Sequence, residues 1–183
     1  MERAARRSAT LLFGTATAAY VVDRISKIWA EHSLVNGPVD VIPGLFTLRF
    51  TTNSGGAFSL GTSAPWFFAT ATVVVSSVIV ATAFRRRRPV HAVALGLVLG
   101  GALGNLTDRL IRGPGFSGNV VDFIDLHYWP VFNLADTAIV IGALALGLSS
   151  LRPYGRSSGR PANRPGGARA APDAGGNEAG DGP

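Results

Sequence analysis

The stretch VVDFIDLHYWPVFNLADTAIVIG, Val120 to Gly142, sets Asp122, Asp125 and Asp136 among strongly apolar neighbours. An ionised carboxylate in hydrocarbon costs roughly 2.5–3.5 kcal/mol on the insertion scale, so each such residue needs a partner or a task. Two carboxylates held close cannot both ionise easily; one keeps a proton and the other stays charged, which supplies an acid and a base in one place. The charged member can take a proton from water as the water attacks a carbonyl, while the protonated member assists the leaving group. Other polar residues follow the same pattern. Asn133 and Asp136 stand i, i+3, as do Asn105 and Asp108, so each pair shares a helix face. An asparagine amide can hold a neighbouring carboxylate in place with its donors.

Positioning these groups is a task for membrane helices. Of 183 residues, 47% are hydrophobic and only 15% charged, far below the roughly 25% charged residues of a soluble domain. Four segments are long enough to cross about 30 Å of hydrocarbon: about Ala9 to Ala30, Ala64 to Phe84, about Val90 to Leu106, and Trp129 to Leu151. Basic clusters at the N-terminus, at Arg85–Arg88 and after Leu151 all fall on one side, which makes both termini cytoplasmic under the positive-inside rule. The connections Glu31–Ser63 and Asp108–Tyr128 then face outward. Within the first, a Pro-Gly turn signal and the alternation Phe46, Leu48, Phe50 predict a short hairpin or small sheet. At about 1.5 Å per residue, Asp23 stands roughly 21 Å above the inner edge, Asn105 roughly 22 Å and Asp136 roughly 20 Å. Three helices thus place polar groups in one layer, the outer third of the membrane. Residues 1–151 form the membrane domain, and 152–183, rich in Gly, Pro, Ala and Arg, read as a disordered cytoplasmic tail.

Several classes of function are excluded. Without cysteine there is no disulfide, thiolate metal site, cysteine nucleophile or cysteine lipidation. His32, His91 and His127 lack the HExxH spacing of a zinc hydrolase. The net charge of +6 sits in clusters beside apolar runs rather than along a face that would bind nucleic acid. Arg6-Arg7 and the ATA of Ala16 to Ala18 imitate an export signal, but the apolar run continues through Ile25, Ile28 and Trp29, as in a retained helix.

Other polar residues have plainer roles. Lys27 is expected to snorkel outward, with pairing to a carboxylate or lipid headgroup as the alternative. Asp108 and Arg109 read equally as an interfacial ion pair. Asp125 reads as solvated. Asp136, two turns inside its span with no basic residue nearby in sequence, resists a purely structural reading. Gly96, Gly100 and Gly104 read as a small-residue stripe for helix packing.

In order along the chain, DRISK (Asp23 to Lys27), NSGGAFS (Asn53 to Ser59), GGALGNLTDRL (Gly100 to Leu110), VVDFID and FNLAD resemble the motifs of the lipoprotein signal peptidase family, also called signal peptidase II. The resemblance implies an all-α membrane protein of four transmembrane helices with a small extracytoplasmic β-sheet cradle, set in the bacterial inner membrane. It implies an intramembrane aspartic endopeptidase that cleaves prolipoproteins before a diacylglyceryl-modified cysteine, with Asp122 and Asp136 catalytic. Asp23, Lys27, Asn53, Gly55, Asn105, Asp108, Arg109 and Asn133 fall on supporting or substrate-contacting positions. Prolipoproteins and membrane lipids are the implied partners; no metal or cofactor is implied, and a monomer is expected. There are two departures. Gly56 stands where the family's N-x-G-A-A-F box has alanine, and the link from Asp108 to Asp122 is longer than in many members, with Gly113, Pro114 and Gly115 able to bulge outward. The alternatives are a small proton- or ion-coupled transporter and a non-enzymatic membrane subunit whose polar residues only join helices.

Overall fold

In the computed structural model, residues 2–54, 65–85 and 87–151 are described. Gly55, Gly56 and the tail from residue 152 lie outside the described residues, and with them the readings made of those positions. Four helices and three strands follow in the order α1 (Glu2–Ser33), β1 (Val39–Ile42), β2 (Phe46–Asn53), α2 (Pro65–Ala81), α3 (Pro89–Ile111), β3 (Val120–Asp125) and α4 (Leu134–Leu151).

The ends of these elements have local causes. Pro89 opens α3, where its missing N–H costs no hydrogen bond and its fixed φ suits the first turn. Ahead of it, the Arg87 side chain donates to the Thr82 and Ala83 carbonyls, satisfying acceptors left over at the end of α2. Between β1 and β2, Leu45 N–H donates to the Ile42 carbonyl across Pro43 and Gly44, and Gly44 has φ 74°. Proline second and a positive-φ glycine third is the type II pattern.

The helix limits differ from the sequence expectation at two functional places. Helix α3 continues past Leu106 to Ile111, which brings Asp108 and Arg109 into its last turns. Helix α4 begins at Leu134 rather than Trp129. Asp136 is therefore in its first turn, not two turns deep. Asn133 is the residue before the helix, and its Oδ1 accepts the Asp136 N–H at 2.9 Å, an N-cap.

The small sheet is antiparallel in the order β1-β2-β3. The predicted hairpin is β1–β2; the third strand, which carries Asp122, was not foreseen. Its register sets Thr51 opposite Asp122 and Asn53 opposite Val120, with an irregularity between Leu48 and Thr51. On its other side β3 is held by a bridge between Ile124 and Phe132.

Helix α3 packs on α1 and α4 through the glycine stripe. A side chain at Gly96 would run into the Leu12 carbonyl, at Gly100 into that of Ala16, and at Gly101 into that of Ala135. The packing reading of Gly96 and Gly100 therefore holds and Gly101 adds the α4 contact, whereas a side chain at Gly104 would meet the Asp23 carboxylate instead. Leu12, Ala16, Ile79, Ala83, Ala92 and Leu99 form one apolar core among α1, α2 and α3. A second, of Ala30, Leu34, Val121 and Phe123, seats the sheet on the end of α1. Two helices, α3 and α4, are long and apolar enough to cross a membrane, with mean hydropathy 1.6 and 1.8. The outer faces of the helices expose large apolar side chains, among them Val74, Val78, Ile141, Leu144 and Leu148.

Candidate active site

Lys27 is the hub of a buried polar network. It is fully buried, and its Nζ lies 2.9 Å from Asp23 Oδ2, 2.9 Å from Asp108 Oδ2 and 2.8 Å from Asn105 Oδ1. Three acceptors match the three N–H bonds of an ammonium group. The expected outward snorkelling is thus overturned: two carboxylates on α1 and α3 compensate the charge where it lies, and the carboxylate-partner alternative is the one observed. Asp108 also pairs with Arg24 and Arg112, and Arg112 with Glu31, so the network runs from the buried hub toward the surface. Asp108 is thereby part of a network rather than half of a simple pair with Arg109.

Because Lys27 can only donate, it fixes the Asn105 amide. The Asn105 carbonyl must face Lys27, and its NH2 then faces Asp136, donating to Oδ1 at 2.8 Å. Asn133 works from the other side. Its Nδ2 donates to Asp122 Oδ1 at 2.6 Å and lies within reach of the Val121 carbonyl at 3.2 Å, while its Oδ1 caps Asp136. Asn133 thus joins the Asp122 carboxylate to the backbone of Asp136, whose own carboxylate is held by Asn105. Asp23 adds a second restraint, accepting the Ala135 N–H at the start of α4 at 2.9 Å through its Oδ1.

Asp122 lies on β3 and is almost entirely buried. Burial raises its pKa to about 7, helped by the neighbouring Asp136 charge and opposed by hydrogen bonds from Asn133 and Asn53. That Asp136 acts on Asp122 at all is the electrostatic sign of their proximity. The buried Arg109 donates to the Gly118 carbonyl at 3.3 Å and lies within electrostatic range of Asp122, Asp136 and Asp108. Gly118 N–H in turn donates to the Arg109 carbonyl at 3.1 Å. This closes the long link after α3 into a loop that leaves β3 in register with β2.

Each carboxylate faces a cavity. Asp122 lines a polar cleft of about 560 Å³ over the sheet, with Arg49, Thr51, Thr52 and Asn53. Asp136 lines a groove of about 340 Å³ bounded by apolar residues that include Phe132, Ile139, Val140 and Ile141. Trp129 and Val131 border both.

Nine of the ten residues singled out in the sequence, all but Gly55, are therefore gathered at one place. Asp125 departs from its solvated reading: it is little exposed, accepts from Arg49 Nε at 2.6 Å and from the His127 N–H at 2.8 Å, and these donors hold its pKa below the usual carboxylate range. The sequence reading missed Arg24, Arg112, Glu31 and Arg49. The i, i+4 spacing of Asp108 and Arg112 was a usable signal; the distant Arg49–Asp125 pairing left none.

Four helices and a three-stranded sheet thus bring Asp122 on β3 and Asp136 on α4 to the same asparagine, Asn133. The chain belongs to the signal peptidase II family: the family described as "Signal peptidase (SPase) II" matches residues 15–152. It is 43% identical over 154 residues to a lipoprotein signal peptidase of Rhodococcus jostii (strain RHA1), covering 81% of this chain and 78% of that one. It is 40% identical over 153 residues to one from Mycobacterium avium (strain 104), covering 81% and 82%. A solved structure described as a bacterial membrane enzyme superposes with a TM-score of 0.70 at 26% identity, covering 81% of this chain and 92% of that one. None of these relatives is a transporter, and nothing supports that alternative.

Proposed function

We propose that this chain removes signal peptides from prolipoproteins by aspartic-type hydrolysis, with Asp122 and Asp136 as the catalytic pair. Family membership and the lipoprotein signal peptidases it resembles support the substrate. The observation that carries the mechanism is Asn133, which donates to the Asp122 carboxylate through its amide nitrogen and accepts the Asp136 backbone N–H through its carbonyl, so that both residues are anchored to one side chain.

In the reaction, the ionised member takes a proton from water as the water oxygen adds to the scissile carbonyl. The protonated member then gives its proton to the departing amine as the C–N bond breaks. Asn105, fixed by Lys27, holds Asp136; Asn53 and Asn133 hold Asp122. Four membrane spans, both termini inside and the sheet outside make one arrangement with this site. The apolar outer faces of the helices and the basic turn at Arg85–Arg88 support it. A diacylglyceryl group anchored in the outer leaflet would hold the adjacent bond within reach of the pair.

The test uses purified protein in detergent and a lipid-modified prolipoprotein. The parent should cleave before the modified cysteine, and Asp122→Asn and Asp136→Asn should each lose roughly a hundredfold or more while melting as the parent does. Parent-like turnover by both variants rejects the pair; a parent that never cleaves rejects the function.

A further inference from the structure

The polar cleft extends beyond Asp122 to a group the hydrolysis itself does not use. Arg49, on β2, is about half exposed, and its Nε is bound to Asp125 Oδ2 at 2.6 Å. Among the described residues, no hydrogen bond engages its two terminal nitrogens. They carry four N–H donors on a guanidinium whose plane Asp125 fixes.

Asp125 is itself braced. The backbone N–H of His127 donates to its Oδ1, and His127 sits at φ 56°, a conformation rare outside glycine. The His127 ring is anchored in turn. Thr47 Oγ1 lies 2.7 Å from Asp40 Oδ1 and 2.9 Å from His127 Nε2. A carboxylate only accepts, so the single Thr47 hydroxyl hydrogen goes to Asp40, and His127 Nε2 must carry the hydrogen it gives to Thr47. From Asp40 on β1, through Thr47 on β2, His127 just past β3 and Asp125 on β3, to Arg49 on β2, one chain of oriented contacts runs, its His127–Asp125 link made by the His127 backbone N–H. Its last member borders the same cleft as Asp122.

We propose that Arg49 is a substrate-binding residue that grips main-chain carbonyls of the polypeptide following the scissile bond. The proposal rests on the peptidase reading given above. The two cavities decide the direction. The groove at Asp136 runs along α4 past Ile139, Val140 and Ile141 and suits an apolar segment. The cleft at Asp122 is floored by Thr51, Thr52 and Asn53 and suits a polar, extended one. Of the two sides of a prolipoprotein bond, the signal side is apolar and the mature side polar. The cleft contains Asp122 and Asp125 beside Arg49, so it offers no net positive charge for an acidic side chain. A neutral carbonyl is the ligand that one oriented guanidinium, already half neutralised, can take. Asp125 is then a positioning residue.

The experiment compares two lipid-modified peptides, one ending directly after the modified cysteine and one extended by four neutral residues, with parent, Arg49→Gln, Arg49→Lys and Asp122→Asn. The parent should gain about tenfold in kcat/KM from the extension, mostly through KM, as one charge-assisted hydrogen bond allows. Arg49→Gln should cut that gain to about twofold, and Arg49→Lys should keep part of it. The gain is a ratio within one protein, so a smaller folded fraction leaves it unmoved. An extension gain undiminished in Arg49→Gln, or absent from the parent, overturns the proposal. Failure of the peptidase reading looks different: the parent cleaves neither peptide, or Asp122→Asn cleaves both.

Discussion

A single side chain, Asp122, shows how the residue scale governs chemistry here. Its neighbours raise its pKa to about 7, burial first and the Asp136 charge second. The folded chain therefore holds a proton there that an unfolded chain releases near pH 4. Stability from that proton is full below about pH 4 and is lost as pH rises through about 7. The same proton serves the reaction. We expect kcat/KM to fall on the alkaline side with a midpoint near pH 7, a value that belongs to the pair rather than to one acid. A flat profile from pH 6 to pH 9 contradicts this. Asp136 was legible in the sequence as a carboxylate in need of a partner. Its depth was not, because the N-cap at Asn133 starts α4 several residues later than the apolar run suggests.

Among the elements, α1 and α3 meet on two kinds of contact: glycines that let the backbones touch, and Lys27 between Asp23 and Asp108. The glycine stripe could be read directly, since small residues at fourfold spacing have few other uses in a membrane helix. Burial of Lys27 could not, because its partner Asp108 stands 81 residues away and a lone lysine near a helix end ordinarily reaches for water. Strand β3 was hidden for a related reason. VVDFID is buried almost throughout, shows no alternation, and finds its partner strand some 70 residues earlier. Removing the shared cation gives the prediction at this scale. Lys27→Met leaves Asp23 without its counter-charge, while Asp108 keeps Arg24 and Arg112. The variant should lose about 3–5 kcal/mol, as a broken buried pair does, measured by unfolding in detergent. Adding Asp23→Asn should recover part of the loss; no change in the single variant would show that the network carries no stability.

Among the described elements, five converge on one site: Asp23 and Lys27 come from α1, Asn53 from β2, Asn105 from α3, Asp122 from β3, and Asp136 from α4 with its cap Asn133. The most direct measurement is the proton affinity of Asp122, followed through its carboxyl infrared band, in the parent and in Asp136→Asn. The pair as described predicts titration near pH 7 in the parent and a clear downward shift once the neighbouring charge is gone. An unmoved Asp122 titration would mean that the two carboxylates do not share a proton, and the aspartic mechanism would fall.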